Sequence, residues 1–265
     1  MKKALKYIWL VLVLLFIYIP ILVLAFYSFT SATTVGGATG GFSFDNYINL
    51  FENEEMRSMI FGTVLLAVIC AAIATVLATF GAIGTFYSKK VTKSLINGAN
   101  QIPVVNADIV TGFSICILLI VILRVDKNTF IPLGIGHIVL TAPFAYLSIL
   151  PKLKQMDNSL YEAALDLGAT PAQALFKVVI PQLIPGILSG FMLAVTLSLD
   201  DYFVTTYTKP STFDTISTYV VNATRGSQTE IKTALWALST LIFLLVVVFV
   251  VVMNLLSVKK RRENA

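Results

Sequence analysis

Charge is what this sequence has least of. Asp, Glu, Lys and Arg make up 12% of its 265 residues, against 57% of hydrophobic types, where a soluble domain carries roughly 25% charged residues. That scarcity excludes an ordinary water-soluble fold. Histidine occurs once, at His137, and cysteine twice, at Cys70 and Cys116. Both cysteines lie inside apolar runs and read as small packing residues, neither a disulfide nor a metal pair. With a single histidine, scattered cysteines and no paired nucleophile, neither catalytic residues nor a metal site are expected, which argues against a membrane-embedded enzyme acting on lipid. No GxxxxGK[ST] run is present, so the chain has no P-loop with which to hold ATP itself.

Long apolar stretches are what the sequence has in place of charge. Tyr7 to Phe44, Ser58 to Ser88, Asn128 to Pro151, Val178 to Leu199 and Thr233 to Val258 contain no Asp, Glu, Lys or Arg, and Ser94 to Leu123 is interrupted only by Asp108. About 20 apolar residues cross a bilayer as a helix. The expectation is therefore an all-α, polytopic membrane protein of six transmembrane helices, at about 8–29, 58–87, 100–123, 130–151, 182–204 and 233–257. The first run could be a signal peptide, since Lys2, Lys3 and Lys6 precede it and Ser31 and Ala32 follow it, but its apolar core exceeds the usual h-region of about 7–15 residues. No repeat of about 20–50 residues and no low-complexity segment appears, so 1–265 reads as one membrane domain.

Basic residues set the orientation. With the N-terminus inside, the cytoplasmic segments hold thirteen of the nineteen Lys and Arg residues and the outside segments six, which places both termini in the cytoplasm. The net charge of +5 then reports topology. A nucleic-acid role for the Lys259–Arg262 cluster is the weaker reading, because basic residues beside a span ordinarily anchor it. On the outside, Gly36 to Gly41 reads as a flexible loop tip; it neither follows a strand nor opens a helix, as a phosphate-binding loop would.

The long cytoplasmic connection, about 152–180, has a grammar of its own. Ser159 and Glu162 have capping-box spacing, and Leu160, Ala163, Ala164 and Leu167 recur at i, i+3, i+4 and i+7, predicting a short helix with one apolar face. Gly168 suits the left-handed residue that ends it. Thr170 and Gln173 form a second capping box with Pro171 at the first helical position, and Ala172, Leu175, Phe176 and Val179 supply the next apolar stripe. The expectation is a helix, an elbow and a helix at the cytoplasmic surface.

Glu162, Ala163, Ala164, Gly168, Ile180 and Pro181 fall in a pattern that resembles the EAA motif of ABC-importer permeases, with Val178 and Ile180 as mild departures. YIPILVLAFYSF, ADIVTGFSICILL and LSLDDYFVT extend the resemblance from end to end to the PotC type of spermidine/putrescine permease. The resemblance implies an ABC type I importer permease fold in a bacterial cytoplasmic (inner) membrane. It also implies an elbow that docks on a separate ATP-binding subunit dimer holding the ATP and Mg²⁺, a second permease subunit as a heterodimer partner, and an extracytoplasmic solute-binding protein. Glu162 then caps its helix, pairs with a cation of the ATPase, or does both.

Three acids fall at or near membrane depth: Asp108 after Pro103, and Asp200 and Asp201 beside Tyr202. An ionisable residue in a span is costly and ordinarily faces a cavity or a partner. A break in the third span at Asp108 would add backbone carbonyls to such a cavity. Carboxylates, aromatic faces and carbonyls suit ammonium groups, so Asp108, Asp200, Asp201 and Tyr202 are candidates for a cation path. The alternative is that each aspartate caps a helix end or bonds to a partner subunit. His137 reads as a hydrogen-bonded packing residue. An ion-coupled secondary carrier remains the rival function, with these aspartates as coupling sites.

Overall fold

A computed structural model describes residues 2–32, 40–157, 159–225, 233–244 and 247. It divides into two compact units, Met1–Ser58 with Val220–Ala265, and Met59–Tyr219. The elements are α1 (Lys2–Ser28), α2 (Asp45–Glu52), α3 (Glu54–Tyr87), α4 (Lys90–Val105), α5 (Asp108–Cys116), α6 (Ile131–Gln155), α7 (Ser159–Asp166), α8 (Pro171–Ala174), α9 (Ile180–Asp200), α10 (Phe203–Thr208), α11 (Ile216–Arg225) and α12 (Thr233–Leu244). Two π-helical segments, Ile117–Ile122 and Leu175–Val179, continue α5 and join α8 to α9. No strand occurs among the described residues, so the fold is all-α as expected.

Among the described residues, four helical stretches are long and apolar enough to cross a membrane: Trp9–Ser28, Glu54–Tyr87, Ile131–Gln155 and Pro171–Asp200. The third apolar region is different. It forms α4 and the α5 segment, Lys90–Val105 and Asp108–Ile122, bent by 104° where they meet. The apolar helix of the sixth region is described over Thr233–Leu244; its remainder to 257 lies outside the described residues apart from Val247, as do the Lys259–Arg262 cluster and most of the Gly36–Gly41 tip.

In the first unit, α1 ends in a polar and aromatic knot. Asn46 Nδ2 donates to the carbonyls of Ser28 and Thr30 at 3.2 and 3.0 Å, so α2 is tied to the turn after α1. Phe29 stacks on Phe42 and lies 5.0 Å from Tyr47, ring centre to ring centre. Thr240 of α12 donates to Ser28 Oγ at 3.3 Å, which brings α12 to the same end of α1.

The second unit is built around α6 and α9. Ala145 stands where Gly190 of α9 has no side chain, and a Cβ added at Gly190 would lie 3.1 Å from the Ala145 carbonyl oxygen. A side chain at position 190 would make the Ala145 backbone give by a few tenths of an ångström. Ala78, Ala82, Ile83, Tyr146, Ile149, Leu153, Val179 and Leu183 form the buried cluster that closes α3, α6 and the head of α9 on one another. Burying a Leu or Ile side chain contributes about 1.5–3 kcal/mol, so this cluster holds the elbow of residues 159–180 to the long helices. α4 is fastened to α6 through Tyr146, whose hydroxyl donates to Asn97 Oδ1 at 2.7 Å.

Candidate functional site

The elbow follows from local sequence. Gly168 has φ +86°, the left-handed geometry that costs other residues roughly 1–2 kcal/mol. Its N–H donates to the Leu165 carbonyl at 2.9 Å and the Ala169 N–H to the Ala164 carbonyl at 3.0 Å, the paired bonds that close a helix C-terminus. Thr170 Oγ1 accepts the Gln173 N–H at 3.3 Å and Gln173 Oε1 accepts the Thr170 N–H at 3.0 Å, with Pro171 following at N1. The second capping box is therefore formed. For the first, α7 is described from Ser159, the residue before it lies outside the described residues, and Asp157 Oδ1 accepts the Ser159 N–H at 3.0 Å. That bond holds the Asp157 carboxyl below its ordinary value.

On α7 the apolar face is open. Leu160 is 42% and Leu167 89% exposed, and Glu162, Ala163 and Gly168 are exposed beside them, with Ala164 half-buried. Ile180 packs against the buried cluster while Pro181, in the first turn of α9, is exposed. The second stripe is only partly open, because Val179 is wholly buried and Phe176 is exposed.

A separate cavity of about 500 Å³ lies at the break in the third region. α4 stops at Val105 and α5 starts at Asp108, with Asn106 and Ala107 extended between them. α9 stops at Asp200, and Asp201 and Tyr202 turn the chain into α10. The fifth helix thus ends four residues before the expected boundary at 204. Asp108, Asp200, Asp201 and Tyr202, distant in sequence, all line this one cavity together with Phe144 and Phe203. The elbow residues do not line it.

The three carboxylates differ in what they already hold. Asp108 and Asp200 are exposed, and among the described residues neither side chain has an ion-pair partner. Asp201 is 8% exposed. Its Oδ1 accepts the Val204 N–H at 3.2 Å, and its Oδ2 accepts the Thr205 N–H and the Thr205 hydroxyl, both at 2.7 Å. Asp201 therefore caps α10, one of the two roles left open for it. His137, 0% exposed, reaches Thr205 Oγ1 at 3.0 Å through Nε2 and Ser198 Oγ at 2.7 Å through Nδ1. Among the described residues no group of three or more His, Cys, Asp or Glu could hold a metal ion.

Sequence reasoning missed Ser198, Thr205 and Phe144. The Asp201 to Thr205 spacing, one helical turn, was a usable signal for the cap; Ser198 and Phe144 carried none.

Residues 80–263 match the family described as "Binding-protein-dependent transport system inner membrane component". The putrescine transport system permease protein PotI of Escherichia coli (strain K12) is 30% identical over 249 residues, covering 88% of this chain and 85% of PotI. The spermidine/putrescine transport system permease protein PotC of Haemophilus influenzae is 28% identical over 245 residues, covering 92% of this chain and 93% of PotC. Among solved structures, a bacterial alginate ABC transporter in complex with an alginate-bound periplasmic protein shares the fold, with a TM-score of 0.68 at 18% identity over 94% of this chain and 91% of that one. The chain belongs to the binding-protein-dependent transport system inner membrane component family, the multi-pass membrane permeases of ABC importers.

Proposed function

We propose that the cargo of this permease is a polyamine of the spermidine or putrescine class. The observation that carries this reading is the cavity at the broken third region, where two carboxylates without an ion-pair partner among the described residues, Asp108 and Asp200, face one space with Tyr202, Phe144 and Phe203. Ammonium groups are recognised by carboxylates, by aromatic faces and by the carbonyls that a helix break frees. An anionic cargo would meet repulsion there. The names of the relatives PotI and PotC agree with a cation of this kind.

The exposed face of α7 with its rigid elbow supports coupling to an ATP-binding subunit dimer that supplies ATP and Mg²⁺ chemistry, since this sequence has no P-loop. The working assembly adds a second permease subunit as a heterodimer partner and an extracytoplasmic solute-binding protein, in a bacterial cytoplasmic membrane with both termini of this chain inside. An ion-coupled carrier would have no use for the elbow.

The test is reconstitution of the assembled transporter into vesicles with a labelled panel of spermidine, putrescine, a neutral sugar and a dicarboxylate. ATP-dependent, saturable uptake confined to the amines is expected. Uptake that follows a proton gradient without ATP, or that favours the sugar or the dicarboxylate, overturns the reading.

A further inference from the structure

His137 lies on α6, yet its two ring nitrogens meet α9 and α10. Nδ1 is 2.7 Å from Ser198 Oγ in the last turn of α9, and Nε2 is 3.0 Å from Thr205 Oγ1 in the first turn of α10. These are the two limbs of the turn that carries Asp200, Asp201 and Tyr202 to the cavity. The protons can be assigned by elimination. An ionised Asp201 can only accept, so the Thr205 hydroxyl donates to it at 2.7 Å. Thr205 Oγ1 then accepts from His137 Nε2–H, and Nδ1 is paired with the Ser198 hydroxyl. Every polar atom of the imidazole is used, and none faces the cavity as a ligand.

α10 needs this support. It has six residues, well short of the length at which a helix holds itself in water. Its seat is tight: a Cβ at Gly112 of α5 would come within 2.9 Å of the Val204 Cα, so α10 lies directly on α5. It has one cap, Asp201, and one polar tie to α6, His137.

We infer that His137 is a positioning residue of the cation path: by bolting the end of α9 and the start of α10 to α6, it fixes where Asp200 and Tyr202 stand in the cavity. It sets affinity for the cation without touching it. The inference rests on the cation-path reading of the cavity.

The experiment uses the assembled transporter in vesicles, with two readouts. The first is KM and kcat for putrescine uptake per assembled transporter. The second is the labelling rate, by a membrane-impermeant thiol reagent, of a cysteine placed at Asp200 in a background without Cys70 and Cys116. His137→Leu is expected to raise KM about tenfold with a much smaller change in kcat, and to change the labelling rate at position 200 severalfold. His137→Gln, which keeps a donor for Thr205, is expected to recover most of both. Should His137→Leu fail to assemble, Ser198→Ala removes the tie of the bolt to α9 while leaving the Asp201 cap in place, and carries the same expectation. Unchanged labelling at position 200 overturns the inference, whatever happens to KM. Changed labelling with Asp200→Asn leaving KM intact supports the bolt and removes the cation path beneath it. Equal loss in the Leu and Gln variants also overturns it.

Discussion

Replacing Asp201 by asparagine tests whether this buried carboxylate is a cap or a ligand. An ordinary N-cap tolerates Asp→Asn with little loss, but the geometry here is not ordinary. Asp201 uses both oxygens, Oδ1 for the Val204 N–H and Oδ2 for the Thr205 N–H and hydroxyl. Asparagine has one acceptor oxygen and one NH₂. Kept on Val204, its oxygen leaves the NH₂ facing the buried Thr205 N–H, donor against donor. The Thr205 hydroxyl can turn to the Asp201 carbonyl, 3.2 Å away, so the net loss is close to one charge-assisted bond plus an unsatisfied N–H. Hydrogen bonds to charged groups contribute about 1.5–3 kcal/mol and a buried orphan donor costs about 1–3 kcal/mol. A total of about 2.5–6 kcal/mol is a large share of a typical stability. The assay is the half-life of the detergent-purified transporter at a fixed raised temperature, since such complexes unfold irreversibly. Asp201→Asn is expected to shorten it at least tenfold, and Asp201→Leu further. A half-life within twofold of the parent in both variants would refute the cap.

Gly168→Ala meets no atom within 4 Å but must adopt φ +86°, so the strain of about 1–2 kcal/mol falls on the elbow alone; assembly should survive while uptake per ATP hydrolysed falls, and unchanged coupling would refute the rigid elbow. The Ser159 N–H lowers the Asp157 pKa, so this contribution to the start of α7 is present above the unfolded value and is lost as pH falls through the lower folded one. Amide protection at Ser159 should be flat from about pH 5 to 8 and fall below about pH 4, and Asp157→Asn should abolish that dependence, as hydrogen exchange would report. A cysteine at the exposed Ser211 should react with an impermeant thiol reagent in intact cells while one at Leu167 should not, in a background without Cys70 and Cys116; the reverse pattern would invert the topology.

What the sequence disclosed was local chemistry. The elbow could be read residue by residue, because Gly168, Thr170, Pro171 and Gln173 act on neighbours within four positions. Pro103 and Asp108 likewise marked the interruption of the third region, though not its 104° bend. The bond from the Ser159 N–H to Asp157 was not singled out, because Asp157 and Ser159 are both residues that bond nearby backbone groups. The π turns at 117–122 and 175–179 left no mark in the apolar periodicity. Least legible was the tie between His137, Ser198 and Thr205, separated by 61 and 68 positions. A lone histidine in an apolar run announces a partner but not which one.

The most direct test of a cation path at the broken third region is uptake by Asp108→Asn and Asp200→Asn, singly and together. Each substitution keeps shape and removes a charge that faces the cavity with no ion-pair partner among the described residues. A charge-assisted contact of about 1.5–3 kcal/mol corresponds to roughly ten- to a hundredfold in rate if it is made in the rate-limiting state. Initial putrescine uptake per assembled transporter should fall by that factor in each single variant and further in the double, with ATP-binding subunit retained. Parent-like uptake in all three variants would contradict the cation path.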